Sequence, residues 1–323
     1  MPVPVQSLPE WPADVEAHPL LVIDYQLLKA GDKEEIARLW KAGTTLGFWY
    51  LKNHGAEQDF VAMWGMGEEV FELLLEEKMG YEQGDEGLSF GPDPVEDVAK
   101  DDALSYPKVS RREYPTVIND LMGPVITPFV EKGVDVSNTL IEIFNDKLGL
   151  PEGTLAKFHR RNDFSASETR TIKAPANLTP GKLAIGGHTD FGTLTLLVDN
   201  LGGLQVLPPG TTEWRYARPL PGHMICNVGD TLTMFSGGPL NSNIHRVVSP
   251  PPGSQSKHDR WPADDTILAP LLESAMIFEA YSKLLPEVTS YEWFTRRQKN
   301  YRSKNHKGAE RWAANRGTEY GHA

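Results

Sequence analysis

Two potential metal ligands, His188 and Asp190, stand two residues apart in the segment GGHTDFGT. In an extended backbone, residues two apart point to the same face, so this imidazole and this carboxylate can reach one point. A second histidine, His245, lies in another strand-like stretch, NIHRVV. Imidazole nitrogens and carboxylate oxygens are common ligands of divalent metal ions. The three residues are therefore candidate ligands of one metal ion.

The sequence around these residues makes the metal site more specific than the three residues alone. An isolated H-x-D pattern arises easily by chance among nine histidines, and a single histidine is more often a hydrogen-bonded core residue. Here four motifs follow in order within one β-rich region: GGHTDFGTLTLL (186–197), GGLQV (202–206), NVGD (227–230) and HRVVSPP (245–251). Two histidines and one carboxylate on one side of a metal ion leave the opposite positions open, as non-haem Fe(II) oxygenases require.

Other residues within these motifs have ordinary structural interpretations. Asn227 and Asp230 follow a predicted strand, where an Asx turn is the common explanation. Cys226, the only cysteine, is expected to be a small buried apolar residue. Phe191 is expected to pack near the metal.

The elements that must position the ligands differ between the two halves of the chain. Strands are predicted at 20–24 and 48–51, and helices at about 32–43, 57–78 and 115–149. An Asp32-x-x-Glu35 capping box begins the first helix, and Pro124 and Pro128 are expected to break the last. From about 165 onward, short strands separated by Gly and Pro predict a sandwich or barrel, with helical patterning again from 267.

Composition and charge narrow the class of protein. The 323 residues, 40% of them hydrophobic and 24% charged, are typical of a globular protein. The formal net charge of −12 argues against nucleic acid or an anionic membrane as a partner. The N-terminus lacks the pattern of a signal peptide, no apolar stretch is long enough to span a membrane, and one cysteine permits no internal disulfide. A soluble cytoplasmic protein is the expectation.

Taken together, these motifs resemble a known family, the 2-oxoglutarate- and Fe(II)-dependent dioxygenases, in the branch that includes isopenicillin N synthase. The resemblance rests on residues 22–24, 46–55 and 181–250. It implies a double-stranded β-helix (jelly roll) core with helices packed outside. A mostly helical region, 1–160, and a jelly-roll region with a C-terminal helix, 161–323, would form one folding unit.

The resemblance also implies a reaction. His188, Asp190 and His245 match the family's catalytic iron ligands position by position. The co-substrate 2-oxoglutarate would be decarboxylated to succinate and CO2, with O2 as the oxidant. An unactivated C–H bond of a small organic molecule would be oxidised, with hydroxylation, desaturation or ring closure as the outcome.

Arg260 is the expected partner for the far carboxylate of 2-oxoglutarate. An arginine suits a carboxylate through paired, charge-assisted hydrogen bonds. The family carries an Arg-x-Ser pair on a strand after the second histidine, and Arg260 matches its arginine. Arg246 is the competing candidate, but as the neighbour of His245 on a strand it should point to the opposite face.

The chain departs from the family pattern directly after Arg260. Trp261-Pro262 follows, so the partner serine is missing, and a turn composition stands where the family continues a core strand. Loss of a core strand would leave backbone hydrogen-bond donors unpaired and would create a cavity in the hydrophobic core. The printed chain is therefore predicted to omit residues between Trp261 and Pro262, and also at a second shortening between Gly91 and Pro92.

Three functions remain open on the sequence alone. The first is a 2-oxoglutarate-dependent oxygenase, which Arg260 favours. The second is an iron oxidase that resembles isopenicillin N synthase and does not use 2-oxoglutarate, which the missing serine favours. The third is a non-catalytic jelly-roll binding protein, against which the complete ligand set argues.

Overall fold

The computed structural model of the chain describes residues 11–13, 15–81, 114–159, 167–172, 183–199 and 202–249, and the backbone of 257–260, 267–268 and 288–289. The two junctions at which omitted residues are predicted, Gly91–Pro92 and Trp261–Pro262, lie outside the described residues.

Most of the described helices belong to the N-terminal half of the chain. They are α1 (Tyr25–Lys29), α2 (Lys33–Thr45), α3 (Glu57–Glu72), α4 (Leu75–Met79), α5 (Thr116–Leu121), α6 (Thr127–Lys147) and, later, α7 (Asp230–Phe235). Helices α2 and α6 are followed by Gly47 and Gly149, whose φ angles are 77° and 69°. Glycine adopts this left-handed backbone without a steric penalty, which explains why both helices end where the sequence predicts.

Two helix predictions are wrong in detail. The prolines do not break the last helical segment, because α5 passes through a π-helical turn, Met122–Ile126, directly into α6. Pro124 lies in that turn, where the regular bonding pattern is already interrupted, and Pro128 follows the turn as the second residue of α6. The helix predicted at 57–78 is two helices, since Leu73 and Leu74 have extended ψ angles of 149° and 144°.

The capping box at the start of α2 forms only in part. The carboxylate of Asp32 accepts a hydrogen bond from the backbone N–H of Glu35 at 2.9 Å. The carboxylate of Glu35, however, accepts from the N–H of Asp24 and from Arg38, each at 2.5 Å. Because Asp24 ends the first strand and caps α1, the buried Glu35 ties that strand to α2.

The strands form two main sheets. They are β1 (Leu21–Asp24), β2 (Phe48–Lys52), β3 (Glu168–Arg170), β4 (Leu183–His188), β5 (Leu194–Leu197), β6 (Leu204–Val206), β7 (Arg215–Tyr216), β8 (Met224–Val228), β9 (His245–Val248), β10 (Lys257–Arg260), β11 (Ile267–Leu268) and β12 (Val288–Thr289). The larger sheet has the order β1-β2-β8-β5-β10-β3 and the smaller β4-β9-β6-β7. Strands β1 and β2 of the helical half thus extend the larger sheet, because β2 pairs with β8.

Alternate residues of the larger sheet contact two different cores. The core between the two sheets includes Phe48, Tyr50, Leu197, Leu204, Val206 and Ile225. The core between the larger sheet and the helices includes Trp49, Leu51, Leu194, Leu196, Met224 and Cys226. Strands β5 and β8 are therefore buried on both faces, including their polar residues Thr195 and Asn227.

The described C-terminal residues are strands. Ile267–Leu268 and Val288–Thr289 pair antiparallel as β11 and β12, so the prediction of helix from 267 onward is wrong at these positions. The rest of the predicted C-terminal helix lies outside the described residues. Among the helices that the structure describes, none combines the length and the apolar character needed to cross a membrane.

Replacing Asp32 with alanine should lower the free energy of unfolding by about 1 kcal/mol, because the N-cap acceptor of α2 is lost. Urea unfolding followed by circular dichroism measures the change. Asp32→Asn is the matched control, since asparagine caps about as well as aspartate and should stay close to the wild type. Equal losses in both variants would show that the cap does not stabilise α2.

Candidate metal centre

The two histidines come together through strand pairing in the smaller sheet. His188 is the last residue of β4 and His245 the first of β9, and the two are directly opposite in the antiparallel register. Their ring centroids lie 4.3 Å apart. Phe48 of β2 packs edge-on against the ring of His245 at 5.3 Å, which places this ring between the two sheets.

Backbone carbonyls set the orientation of both imidazoles. Nδ1 of His188 lies 2.8 Å from the carbonyl oxygen of Gly186, and Nδ1 of His245 lies 3.1 Å from that of Asn243. A carbonyl oxygen can only accept, so Nδ1 carries a proton in each ring, and in the neutral imidazole Nε2 then carries the lone pair. A hydrogen bond of this kind to the ring nitrogen that does not bind metal is typical of metal-ligating histidines.

Asp190 supplies an oxygen to the same point. Its Oδ1 lies 3.3 Å from Nε2 of His245 and 3.7 Å from Nε2 of His188. One ligand atom from each of the three residues lies within 4.8 Å of the others. Asp190 and His245 are buried, with exposed fractions of 7% and 2%, while His188 is half-buried. Two neutral imidazoles and one carboxylate at these distances fit one divalent metal ion.

The loop that carries Asp190 is held by the junction of β8 and α7. The N–H of Asp230 donates to the carbonyl of Asp190 at 2.8 Å, and the N–H of Gly229 donates to that of Thr193 at 2.9 Å. The hydroxyl of Thr231 donates to the carbonyl of Phe191 at 2.8 Å. The motif NVGD thus fixes the loop after β4.

Glycine is required at 229 by space alone. A Cβ built on Gly229 would lie 2.0 Å from the carbonyl oxygen of Gly192. That separation is far inside van der Waals contact, and the neighbouring atom belongs to the backbone of the Asp190 loop. Any side chain at 229 would therefore push this loop away.

Three polar residues that the sequence did not single out as site residues surround the ligands. Asn227 donates to Oδ2 of Asp190 at 2.9 Å, and Thr195 donates to the same oxygen at 2.5 Å. Asn227 therefore hydrogen-bonds to Asp190, one of the three predicted metal ligands. The prediction of an Asx turn at Asn227 is wrong. Buried His159 lies 2.7 Å from the hydroxyl of Thr193, so it supports the same loop from the segment that follows α6.

Asp230 also departs from its expected turn. Its carboxylate is buried and accepts a hydrogen bond from the hydroxyl of Thr189 at 3.0 Å. The signal that could have identified Asn227 and Asp230 was their place in the motif NVGD, among the ordered motifs that follow the ligand pair.

Cys226 is a buried apolar residue as predicted, and burial raises the pKa of its thiol. Phe191 is half-buried and packs against the core beneath the helices.

The two candidate arginines have different positions. Arg246 lies on the face of β9 opposite to His245, as predicted, and its Nε donates to the side chain of Gln205 at 2.7 Å. Its guanidinium also lies 4.3 Å from the ring centre of Trp214. The backbone of Arg260 lies in β10 opposite Leu194 of β5, but its side chain lies outside what the structure describes.

Comparison with known proteins identifies the family. The sequence pattern of the 2OG-Fe(II) oxygenase superfamily matches residues 166–263. A second pattern, described as the N-terminal region of the non-haem dioxygenase in morphine synthesis, matches residues 20–115. A curated relative, the 2-oxoglutarate-dependent dioxygenase frbH of Dothideomycetidae sp., is 31% identical over 264 residues, which are 76% of this chain and 81% of that protein.

Solved structures agree in fold. A full-length Neurospora crassa protein in complex with alpha-KG and 5-formyluracil superposes with a TM-score of 0.69 at 20% identity, over 90% of this chain and 98% of that one. JOX2 in complex with 2OG, Fe and JA gives a TM-score of 0.67 at 22% identity, over 97% and 95%. The predicted jelly-roll fold is thereby confirmed.

The chain belongs to the 2OG-Fe(II) oxygenase superfamily. It is a non-haem dioxygenase that depends on Fe(II) and 2-oxoglutarate and takes O2 and a small molecule as its other reactants.

Replacing Gly229 with alanine should displace the Asp190 loop. We expect the free energy of unfolding to fall by about 1–3 kcal/mol through overpacking, and divalent metal binding to weaken as well. Urea unfolding and calorimetric titration of the apo-protein with Co(II) measure the two effects. Gly65→Ala is the control, because Gly65 is exposed in α3 with no atom within 4 Å of an added Cβ. Unchanged metal affinity in Gly229→Ala would contradict the role of this contact.

Proposed function

We propose that His188, Asp190 and His245 hold a single Fe(II) ion, at which an unactivated C–H bond of a small organic molecule is oxidised. In the same turnover, 2-oxoglutarate is decarboxylated to succinate and CO2. The observation that carries this assignment is the convergence of the two Nε2 atoms on Oδ1 of Asp190, at 3.3 and 3.7 Å. The oxidation takes the form of hydroxylation, desaturation or ring closure.

The three donor residues indicate which role belongs to the metal ion and which roles belong to the protein. When bound, Fe(II) supplies the activation of O2 that no side chain can provide. The two histidines and Asp190 would hold the ion through one oxygen and two nitrogens, a donor set that leaves positions for 2-oxoglutarate and O2. The carbonyls of Gly186 and Asn243 keep both imidazoles in the tautomer that offers Nε2. Phe48 of the apolar core between the sheets packs against the ring of His245.

We also assign Arg260 to the far carboxylate of 2-oxoglutarate. The pairing of β10 with β5 does not itself favour Arg260, because the backbone of Arg260 lies opposite Leu194, a residue of the core beneath the helices. One observation supports the choice over Arg246. Arg246 is already engaged by Gln205 and Trp214. We further infer that regions 1–160 and 161–323 fold as one unit, because β2 pairs with β8 in the larger sheet.

Single replacement of His188, Asp190 or His245 with alanine should abolish stoichiometric Fe(II) binding under anaerobic conditions. The wild type should bind one ion and release succinate when supplied with 2-oxoglutarate and O2. His54→Ala is the control, since this buried histidine bonds to the carbonyl of Gly222 and belongs to another part of the fold. Retention of tight one-to-one binding in all three ligand variants would refute the assignment. Failure of the wild type to bind iron would favour a non-catalytic binding protein.

Arg260→Ala should weaken 2-oxoglutarate binding strongly while leaving Fe(II) binding nearly intact, because it removes only the charge partner of the far carboxylate. Titration of the Fe(II)-loaded protein with 2-oxoglutarate measures this affinity. Arg246→Ala is the matched control and should bind 2-oxoglutarate as the wild type does. The reverse pattern would transfer the role to Arg246. Substrate oxidation without 2-oxoglutarate would favour an oxidase resembling isopenicillin N synthase.

A further inference from the structure

Two hydrogen bonds occupy one oxygen of the ligating carboxylate. Oδ2 of Asp190 accepts from the hydroxyl of Thr195 at 2.5 Å and from the side-chain amide of Asn227 at 2.9 Å. The other oxygen, Oδ1, is the one that faces the two Nε2 atoms. The carboxylate therefore presents one oxygen to protein donors and one to the metal position.

The two donors form a pair built into the larger sheet. Thr195 of β5 and Asn227 of β8 lie directly opposite each other in the antiparallel register, on the face toward the smaller sheet. Both are buried, with exposed fractions of 3%. Because these strands are also packed against the helices on their other face, the two donors have little freedom to move.

We infer that Thr195 and Asn227 are positioning residues that restrict Asp190 to metal binding through Oδ1 alone. A carboxylate that can turn about its Cβ–Cγ bond can also bind a divalent ion through both oxygens. Here that rotation would break two buried hydrogen bonds to a charged group, which are among the stronger ones in proteins. The inference rests on the proposed metal site and specifies how one of its ligands is used.

The consequence for the reaction concerns the number of open positions. With Asp190 bound through one oxygen, the protein would fill three positions of the ion. A second aspartate oxygen would take a fourth position and compete with 2-oxoglutarate or O2. Thr195 and Asn227 would thus keep open the positions that the chemistry needs, without touching either reactant.

The test uses Co(II) and the full-length apo-protein, with Thr195→Val and Asn227→Leu as near-isosteric variants that lack the donors. Each should weaken Co(II) binding by about 10–100-fold, the usual effect of losing an outer partner of a metal ligand. The double variant should also show a changed Co(II) visible spectrum, because a second aspartate oxygen would replace another donor on the ion. Affinity of its Co(II)-loaded form for 2-oxoglutarate should fall.

Two controls separate positioning from a general loss of stability. Thr195→Ser retains the hydroxyl and should restore the wild-type affinity and spectrum. Asn145→Leu removes another buried asparagine, whose hydrogen bonds go to residues 150, 151 and 155. It should lower the melting temperature without changing Co(II) affinity.

The outcomes distinguish this inference from the proposed function. If Asp190→Ala loses Co(II) but Thr195→Val and Asn227→Leu keep the wild-type affinity and spectrum, the metal site stands and the positioning role is refuted. Equal weakening by Asn145→Leu would refute it too, because the effect would then be structural. If Asp190→Ala binds Co(II) as tightly as the wild type, both the proposed metal site and this inference fail.

Discussion

The site depends on the carboxylate of Asp190, whose two oxygens have different neighbours. Asp190 must stay charged and fixed in a buried place, and an ionised carboxylate there is costly unless it is hydrogen-bonded or paired. The structure satisfies Oδ2 with Thr195 and Asn227 and turns Oδ1 toward the two imidazoles. Its backbone carbonyl is bonded in turn by the N–H of Asp230. Residues of β5, of β8 and of the start of α7 make these contacts.

Helical packing supports this arrangement from the other side of the larger sheet. Strands β5 and β8 carry polar groups toward the metal at alternate positions, and the intervening residues must be buried elsewhere. Leu194, Leu196 and Cys226 contact the core beneath the helices. The mostly helical half thus stabilises the strands that hold the Asp190 partners, although it supplies none of the three ligands. Its own β2 adds Phe48, which packs against the ring of His245.

The sequence predicted that His188 and Asp190 share one face because strand periodicity is a local property, and the resemblance of the ordered motifs to the family added His245. The fold could be predicted in outline for the same reason. The role of Asn227 could not, since it depends on the register between β8 and β5, which no local pattern encodes. Likewise the contact of Glu35 with Asp24 replaced only the Glu35 half of the expected capping box, because the buried Glu35 carboxylate accepts from the N–H of Asp24 at the end of β1. Pro124 was accommodated by a π-helical turn that the composition of the segment does not indicate.

The chemical type of the Asp190 partners is itself informative. A lysine or arginine at the place of Asn227 would also satisfy Oδ2, and more strongly, since charge-assisted hydrogen bonds are the stronger ones. A positive charge there would, however, repel a divalent cation bound at Oδ1, and low polarity between the sheets would strengthen that repulsion. The neutral amide and hydroxyl fix the carboxylate without reducing its net charge. With both imidazoles neutral, that single negative charge leaves a divalent ion with a net positive charge. Such a centre attracts the 2-oxoglutarate dianion, so the neutrality of Thr195 and Asn227 favours co-substrate binding as well as metal binding.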